Sequence, residues 1–477
     1  MKIIELTIQE FSKEGSGIGF WTNPQGQTTS VEVPFAIPGD LVSAELFKKR
    51  RGMYQSRLLE ILIPSPDRTT PRCIHFGACG GCRWQQISYT QQLNLKEDRI
   101  RDLLTPYMHS EVNWHPILPC DPPWEYRNKM ELSFSSDKAQ NHYLGLILQG
   151  SRGKVFQMEQ CHLPNPWCVD AVKAIQNWWD HSGLDAYHTH RDTGSLRTLI
   201  LREGFRSGDR LAMLTVSGNP EYALHKNQLD SFVAALKQAI TPEGGAKLSI
   251  FLRIQLIAKG HPTNFFEMVL DGPDHIRETL NINVDGLAEY TPTFRISPSA
   301  FFQPNSRQAE QLYSRALSMA QIKPESLIYD LYCGTGTLGL CAARQAREVI
   351  GIELSPESVC DARENIKINE LKNIEIRQGD VGHELAKLGN ERKEIPDVVI
   401  VDPPRAGLDA RAIHHLLALK SAKIVYISCN PTTQAVNLEL LIKGGYKLDA
   451  VQPVDQFPQT IHCENIVVLT RHQNEVI

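Results

Sequence analysis

Apolar and polar positions alternate from the first residues. Lys2 to Phe11 reads as a half-buried strand, and Gly15-Ser-Gly-Ile-Gly19 as a turn. Thr29 to Phe35 is rich in β-forming residues, Ile37-Pro-Gly-Asp40 makes a second turn, and Leu41 to Lys48 and Tyr54 to Ile63 are further strands. Short strands at this spacing predict a small barrel over residues 1–68. A Pro/Ser linker spans 63–70.

A second pattern fills 69–290. Gln91 to Leu104 has helical periodicity. Met130 to Phe134, Tyr143 to Ile147, Leu196 to Arg202 and Leu211 to Val216 alternate, which predicts an antiparallel sheet with one interposed helix, Pro166 to Trp179. The third pattern starts near Thr291 and runs to 477. A helix over 306–320 is capped by Asn305 or Ser306. Apolar strands then alternate with helices: Leu327–Leu331, Val349–Glu353, Ile374–Gln378, Val398–Val401, a helix from about Asp409, Ile424–Ser428, and a last strand from Asn465 to Leu469. That alternation predicts a parallel, doubly wound sheet.

Composition changes little in this picture. The 477 residues are 42% hydrophobic and 22% charged, ordinary for a globular protein of several domains. A net charge of −4 gives no global field to attract nucleic acid, so any such partner must be held by local patches. Lys48, Lys49, Arg50, Arg51 and Arg57 form one patch, equally readable as a solvated turn or as a phosphate-contacting loop. Arg127, Lys129, Arg197 and Arg202 are further candidates for an RNA path, although each alone fits surface ion pairing. No apolar run is long enough to span a membrane, and the N-terminus lacks the core of a signal peptide; a cytoplasmic protein is expected. Nothing in the sequence calls for an obligate protein partner.

Eleven cysteines in a reducing compartment point to metal or redox chemistry rather than disulfides. Cys73-x5-Cys79-Gly-Gly-Cys82 has the spacing that lets a backbone fold around one centre, and zinc or an iron–sulfur cluster both fit. A fourth ligand must come from elsewhere, with Cys161, Cys168 and, less naturally, Cys120 available.

Asp330-Leu-Tyr-Cys-Gly-Thr-Gly-Thr337 follows a strand and opens a helix. Its glycines permit close backbone approach to a ligand; the run is not a P-loop, and a lone Gly-x-Gly-x-x-Gly does not settle the cofactor. The acids do more. Asp330, Glu353, Asp380 and Asp402 stand at successive strand ends. A carboxylate at Asp330 repels a pyrophosphate but suits an ammonium, and Glu353 suits a ribose diol. S-adenosylmethionine therefore fits better than a nicotinamide dinucleotide. Cys429, in Ser428-Cys-Asn-Pro431, closes the next strand, and Glu464 opens the last. Thiolate, carboxylate and methyl donor together predict methylation of uracil C5: the thiolate adds to C6, C5 takes the methyl group, and the carboxylate removes the C5 proton.

The full set resembles the RNA 5-methyluridine methyltransferase family, in its iron–sulfur branch. The residues that carry the resemblance are CGGC at 79–82, FFQPN at 301–305, DLYCGTGT at 330–337, DPPRAGL at 402–408, SCNP at 428–431 and FPQTxHCE at 457–464. The N-terminal segment, with its glycine turn, Val33-Pro34 and Pro38-Gly-Asp40, looks like a TRAM domain, an OB-like RNA-binding barrel. The resemblance implies an N-terminal TRAM barrel (1–68), a central α+β iron–sulfur domain contacting RNA (69–290), and a C-terminal Rossmann-like S-adenosylmethionine methyltransferase domain (291–477). It implies a four-iron, four-sulfur cluster on Cys73, Cys79, Cys82 and Cys161. It places Gln303, Tyr332, Thr337, Glu353, Asp380 and Asp402 around S-adenosylmethionine, with Cys429 as nucleophile and Glu464 as proton acceptor. Tyr332 and Thr337 depart from the phenylalanine and asparagine common in the family. The implied activity is uracil-5 methylation of 23S rRNA, with tRNA as the alternative substrate and a non-catalytic RNA-binding protein as the alternative class. A flipped, unpaired base is expected. A radical enzyme is disfavoured, because its usual Cx3Cx2C triad is not the x5, x2 spacing found here.

Overall fold

The computed structural model describes residues 2–151, 153–257 and 263–472. The chain divides into two compact units: Met1–Lys96 with Leu146–Phe156 and Phe457–Ile461, and Glu97–Gly145 with Gln157–Gln456 and His462–Ile477. No helix among the described residues is long and apolar enough to cross a membrane.

The smaller unit is built on a closed barrel. Its strands are β1 (Lys2–Phe11), β2 (Gly17–Thr22), β3 (Thr28–Val33), β4 (Leu41–Arg50) and β5 (Met53–Ile63), in the order β1-β2-β3-β5-β4. The alternation in β1 becomes burial: Ile4, Leu6 and Ile8 point inward with Val31, Val33, Val42 and Ala44. Closure leaves no free sheet edge. Asp40 is fully buried beneath the barrel and accepts from the amides of Ile37 (2.8 Å) and Ser65 (2.9 Å) and from Arg68 Nε (3.0 Å). The basic run Lys48 to Arg51 is exposed at the β4–β5 hairpin, while Arg57 pairs with Glu45 at 2.7 Å. The segment Phe457–Ile461 belongs to this unit: the Gln459 carbonyl accepts from the amides of Arg83 and Trp84, and its side chain accepts from Gln92.

After the linker come α1 (Tyr89–Leu104), β6 (Asn113–Trp114), β7 (Lys129–Ser136), β8 (His142–Ile147), β9 (Val155–Gln157), α2 (Trp167–Ser182), β10 (Leu196–Glu203), β11 (Arg210–Ser217), α3 (Lys226–Ala239), β12 (Leu248–Leu256) and β13 (Asn264–Asp271). All of these strands but β6 form a seven-stranded sheet in the order β13-β12-β11-β10-β7-β8-β9. The expected strands up to residue 216 are present and antiparallel, but the sheet goes on. A second helix, α3, crosses over to β12, which therefore runs parallel to β11. The edge strand β13 leaves Phe265, Phe266, Met268 and Val269 exposed on both faces, so no period-2 signal marks it.

A short pair, β14 (Ile276–Thr279) and β15 (Thr293–Ile296), leads into the last sheet. Its elements are α4 (Ser306–Ala320), β16 (Leu327–Leu331), α5 (Thr337–Ala343), β17 (Glu348–Glu353), α6 (Pro356–Ile368), β18 (Ile374–Gln378), α7 (Val381–Glu391), β19 (Val398–Val401), α8 (Ala410–Leu419), β20 (Lys423–Ser428), α9 (Pro431–Lys443), β21 (Tyr446–Val454) and β22 (Glu464–Arg471). The strand order is β18-β17-β16-β19-β20-β22-β21-β6. The first five strands are parallel, as expected; β22 is antiparallel and lies between β20 and β21. Alternate residues feed two cores. Ile328, Ile400 and Ile427 pack to one face, and Tyr329, Val399 and Tyr426 to the other, which is why these strands read as continuous apolar runs. The order reverses between β16 and β19, and at such a switch point an open sheet forms a crevice at its carboxyl edge.

Candidate active site

Each candidate acid and the candidate nucleophile reach that edge because they sit where a parallel strand ends. Asp330 lies at the end of β16, Glu353 closes β17, Asp380 follows β18, Asp402 follows β19, and Cys429 occupies the elbow between β20 and α9. Glu464 arrives by a different route. It opens an antiparallel strand whose register sets Asn465 opposite Ser428, so its first residue meets the last residues of β20.

The glycine turn after β16 is tightly wound. Tyr332 adopts a left-handed φ of 62°, and Gly336, at φ 77°, caps α5. Gly339 permits the packing of Asp330, since a Cβ there would lie 2.7 Å from the Asp330 carboxyl. Glu353 ties the turn to the next helix: Oε2 accepts from the Gly334 amide at 3.0 Å and Oε1 from the Ser355 amide at 2.7 Å. Thr337 is buried, with its hydroxyl 3.1 Å from that of Thr335. Asp380 is exposed and caps α7 through the His383 amide at 3.0 Å. Gln303 is buried and its Oε1 accepts from Gln456 Nε2 at 3.3 Å.

The electrostatics are those of crowded acids. Burial, reinforced by the charge of Asp402, pushes the Asp330 carboxyl up to about 8, and its Oδ2 has no hydrogen-bond partner among the described residues. Burial raises Asp402 to about 7. Glu464 is buried, is raised well above the carboxylate range by burial and by Asp402, and keeps Oε2 without a partner among the described residues. Cys429 is half-buried; burial and the charges of Glu464 and Asp402 push its thiol up to about 12. Arg405 is the opposing cation for both. Its carbonyl accepts from Asn430 at 3.0 Å, and its guanidinium lies 3.1 Å from His462 Nδ1. Tyr313 on α4 feels the charges of Asp402, Glu464 and Asp330, which marks these three as one cluster.

Asp402 thus lies within electrostatic reach of Cys429, Glu464 and Asp330, and the neighbouring turn runs from Tyr332 to Thr337, with Glu353 bonded to it from the end of β17. Sequence reasoning missed Tyr313, Arg405 and Gln456. Of these, Arg405 stands inside the DPPRAGL motif, and its position just after Asp402 is the signal that could have found it.

Cys73, Cys79 and Cys82 share one loop of the smaller unit, and Cys161 lies in the larger. The Gly81 amide donates to Cys79 Sγ at 3.3 Å. Cys120 and Cys168 are buried; the first accepts from Asn305 at 3.3 Å, and the second lies on α2. Among the described residues no group of three or more His, Cys, Asp or Glu side chains is gathered as for a metal ion.

Known proteins share this architecture. A sequence model of the family described as tRNA (uracil-5-)-methyltransferase matches residues 224–472. An uncharacterized RNA methyltransferase of Protochlamydia amoebophila is 60% identical over 92% of this chain and 100% of its own. Another from Chlorobaculum tepidum is 34% identical over 98% of this chain and 96% of its own. The crystal structure of Pyrococcus abyssi tRNA (uracil-54, C5)-methyltransferase in complex with S-adenosyl-L-homocysteine is similar in fold, with a TM-score of 0.73 at 23% identity, covering 98% of this chain and 99% of that one. The matched span contains every acid at the sheet edge as well as Cys429 and Glu464, and on this evidence the chain belongs to the tRNA (uracil-5-)-methyltransferase family.

Proposed function

We propose that this protein methylates C5 of uracil in 23S rRNA, using S-adenosylmethionine and a covalent link between Cys429 and uracil C6. The observation that carries the reading is the pairing of Cys429 and Glu464. Two strands that run in opposite directions deliver a thiol and a carboxyl to one sheet edge, where the charge of Glu464 raises the proton affinity of Cys429 and Asp402 raises that of both.

The residues fit the cofactor. Asp330 presents a fully buried carboxyl against Asp402 and Glu353, and the crowding of these acids is relieved by a bound cation. Glu353, at the end of β17, suits the ribose diol, and Gln303, Tyr332, Thr337, Asp380 and Asp402 complete the border of the site. When bound, S-adenosylmethionine supplies an electrophilic methyl group. A positive charge against these acids also lowers the proton affinity of Cys429, which the protein alone holds as a neutral thiol.

Cys429, only half-buried, gives up its proton to solvent and adds through sulfur to C6, and the electron pair of the C5–C6 double bond becomes available at C5 for methylation. Glu464 as carboxylate then takes the C5 proton. The C5–H pair restores the double bond, and the C6–S pair returns to Cys429. Arg405 steadies the negative charge that passes between the two.

The N-terminal barrel, with its exposed Lys48 to Arg51 hairpin, supports an RNA-gripping TRAM domain in 1–68. The central domain (69–290) guides flanking RNA, and 291–477 carry the chemistry, in the cytoplasm. Cys73, Cys79, Cys82 and Cys161 are the proposed ligands of a four-iron, four-sulfur cluster. The hydrogen bond that the Gly81 amide donates to Cys79 Sγ suits a thiolate ligand. Iron and sulfide analysis after anaerobic purification tests this: about four of each per chain are expected, and their absence removes the cluster.

The matching tRNA (uracil-5-)-methyltransferase family and the Pyrococcus abyssi tRNA (uracil-54, C5)-methyltransferase favour a second reading, tRNA as substrate. Nucleoside mapping of both RNA classes from a deletion strain decides. Loss of 5-methyluridine from 23S rRNA is expected; loss from tRNA alone sinks the rRNA assignment. Trapping on 5-fluorouridine RNA separates an enzyme from a non-catalytic binder, which forms no adduct.

A further inference from the structure

Two buried amides join the segments that carry Cys429 and Glu464. Gln434, on α9 and five residues after Cys429, is fully buried, as is Asn465, next to Glu464. Gln434 Nε2 donates to the carbonyl of Tyr426 at 3.0 Å and to that of Asn465 at 3.2 Å. Its Oε1 accepts from Asn465 Nδ2 at 2.8 Å. One side chain therefore bridges β20, α9 and β22, the three elements that converge at the thiol and the carboxyl. An apolar residue of the same length would fill the volume, whereas a buried amide fixes the geometry of everything it bonds.

The two ends of this bridge differ in side-chain support, although the backbone of β22 is paired on both sides, Asn465 with Ser428 and Pro453, and Glu464 with Val454. The Cys429 elbow has its own bonds: the Asn430 amide to Ser428 Oγ at 3.1 Å, Asn430 Nδ2 to the Arg405 carbonyl at 3.0 Å, and Thr433 to the Asn430 carbonyl at 3.0 Å. At the other end, Glu464 Oε2 and Asn465 Oδ1 have no hydrogen-bond partners among the described residues. Two of the three bonds that Gln434 makes go to Asn465.

We propose that Gln434 and Asn465 are positioning residues that hold Glu464 at its working distance from the adduct on Cys429. The inference rests on the roles given above to Cys429 and Glu464. With the backbone of β22 still paired, loss of the bridge acts first on the placement of the Glu464 side chain. The step that suffers is the last one, in which Glu464 removes the C5 proton, the C5–C6 double bond returns and the C6–S bond breaks. Addition and methyl transfer continue, so methylated RNA remains attached to Cys429.

The test uses the full-length protein, S-adenosylmethionine and unmodified 23S rRNA and tRNA transcripts with ordinary uridine. Gln434→Met keeps length and volume and removes all three side-chain bonds; Asn465→Ala removes only the bond from Nδ2, leaves the one to the residue 465 carbonyl, and is expected to give the smaller effect of the two. The expected result is a fall in kcat of about ten- to a hundredfold, KM values within about twofold of wild type, and more enzyme in a denaturation-resistant complex with RNA than for wild type. Unchanged kcat overturns the proposal. So does a loss without accumulated adduct, or failure of both variants to fold, since each assigns the bridge a structural role. A wild-type enzyme that forms no Cys429-dependent adduct overturns the function itself, a separate result.

Discussion

The backbone amide of Gly334 donates to Oε2 of Glu353 at 3.0 Å, which ties the glycine turn after β16 to the end of β17. The same carboxylate accepts from Ser355 at 2.7 Å. Glu353→Ala therefore frees the turn and removes the proposed ribose contact together. Hydrogen bonds to a charged group contribute about 1.5–3 kcal/mol each, and titration calorimetry with S-adenosylhomocysteine should show affinity reduced about ten- to a hundredfold. Wild-type affinity would dismiss Glu353 as a cofactor residue.

Cys429→Ala and Glu464→Gln should fail differently. Without the thiol, no adduct forms on 5-fluorouridine RNA and methylation stops. Without the carboxylate, addition continues while turnover falls by about 10²–10⁴-fold, seen as slow product release in single-turnover assays. An adduct that survives Cys429→Ala refutes the nucleophile.

Asp330 and Asp402 hold protons in the fold, at about 8 and about 7, that the unfolded chain releases near 4. The folded state binds more protons across that window, so stability is greatest at its acid end and falls as pH rises through it. Asp330→Asn removes one of these titrations. Its thermal midpoint should exceed that of wild type at pH 8 by on the order of 5 °C, with little difference at pH 4.5. A gap that does not change with pH would disprove this.

Asp40 behaves in the opposite sense. Burial works to raise its pKa, but Arg68 and the amides of Ile37 and Ser65 hold it below the usual range. Its contribution is present above the ordinary carboxylate range and disappears as pH falls through its depressed pKa. Asp40→Ala leaves Arg68 without its buried partner and should cost about 3–5 kcal/mol in denaturant unfolding followed through a probe in the barrel, such as Trp21.

The elements that the sequence announced are those in which one physical cause dominates. The helix over 306–320 begins at a true cap, with Asn305 accepting from the Gln308 amide, and β19 is a bare apolar run buried on both faces. The strand-end acids were legible because parallel strands always finish at the same edge. β13 was not, because both of its faces are exposed, nor was β6, two residues long and paired far across the chain. Asp380 and Glu353 also serve as backbone acceptors, a role that spacing alone does not separate from ligand binding. Gln434 and Asn465 went unread because a buried amide looks like any surface residue until its partners are known. The sequence motif at 457–464 hid a division of labour: its first part docks on Arg83, Trp84 and Gln92, and its last residue opens β22 at the sheet edge.

The pairing of Asn113 and Trp114 with Ala450 and Val451 sets a clock on synthesis. Gln452 bonds back to Pro116 across 336 positions. At typical ribosomal speeds of about 5–20 residues per second, the segment around β6 waits roughly 20–70 s for its neighbour to be made. Through that interval β6 is made but has no strand to pair with, and slowing translation after Trp114 should lengthen its exposure to proteases and chaperones in proportion.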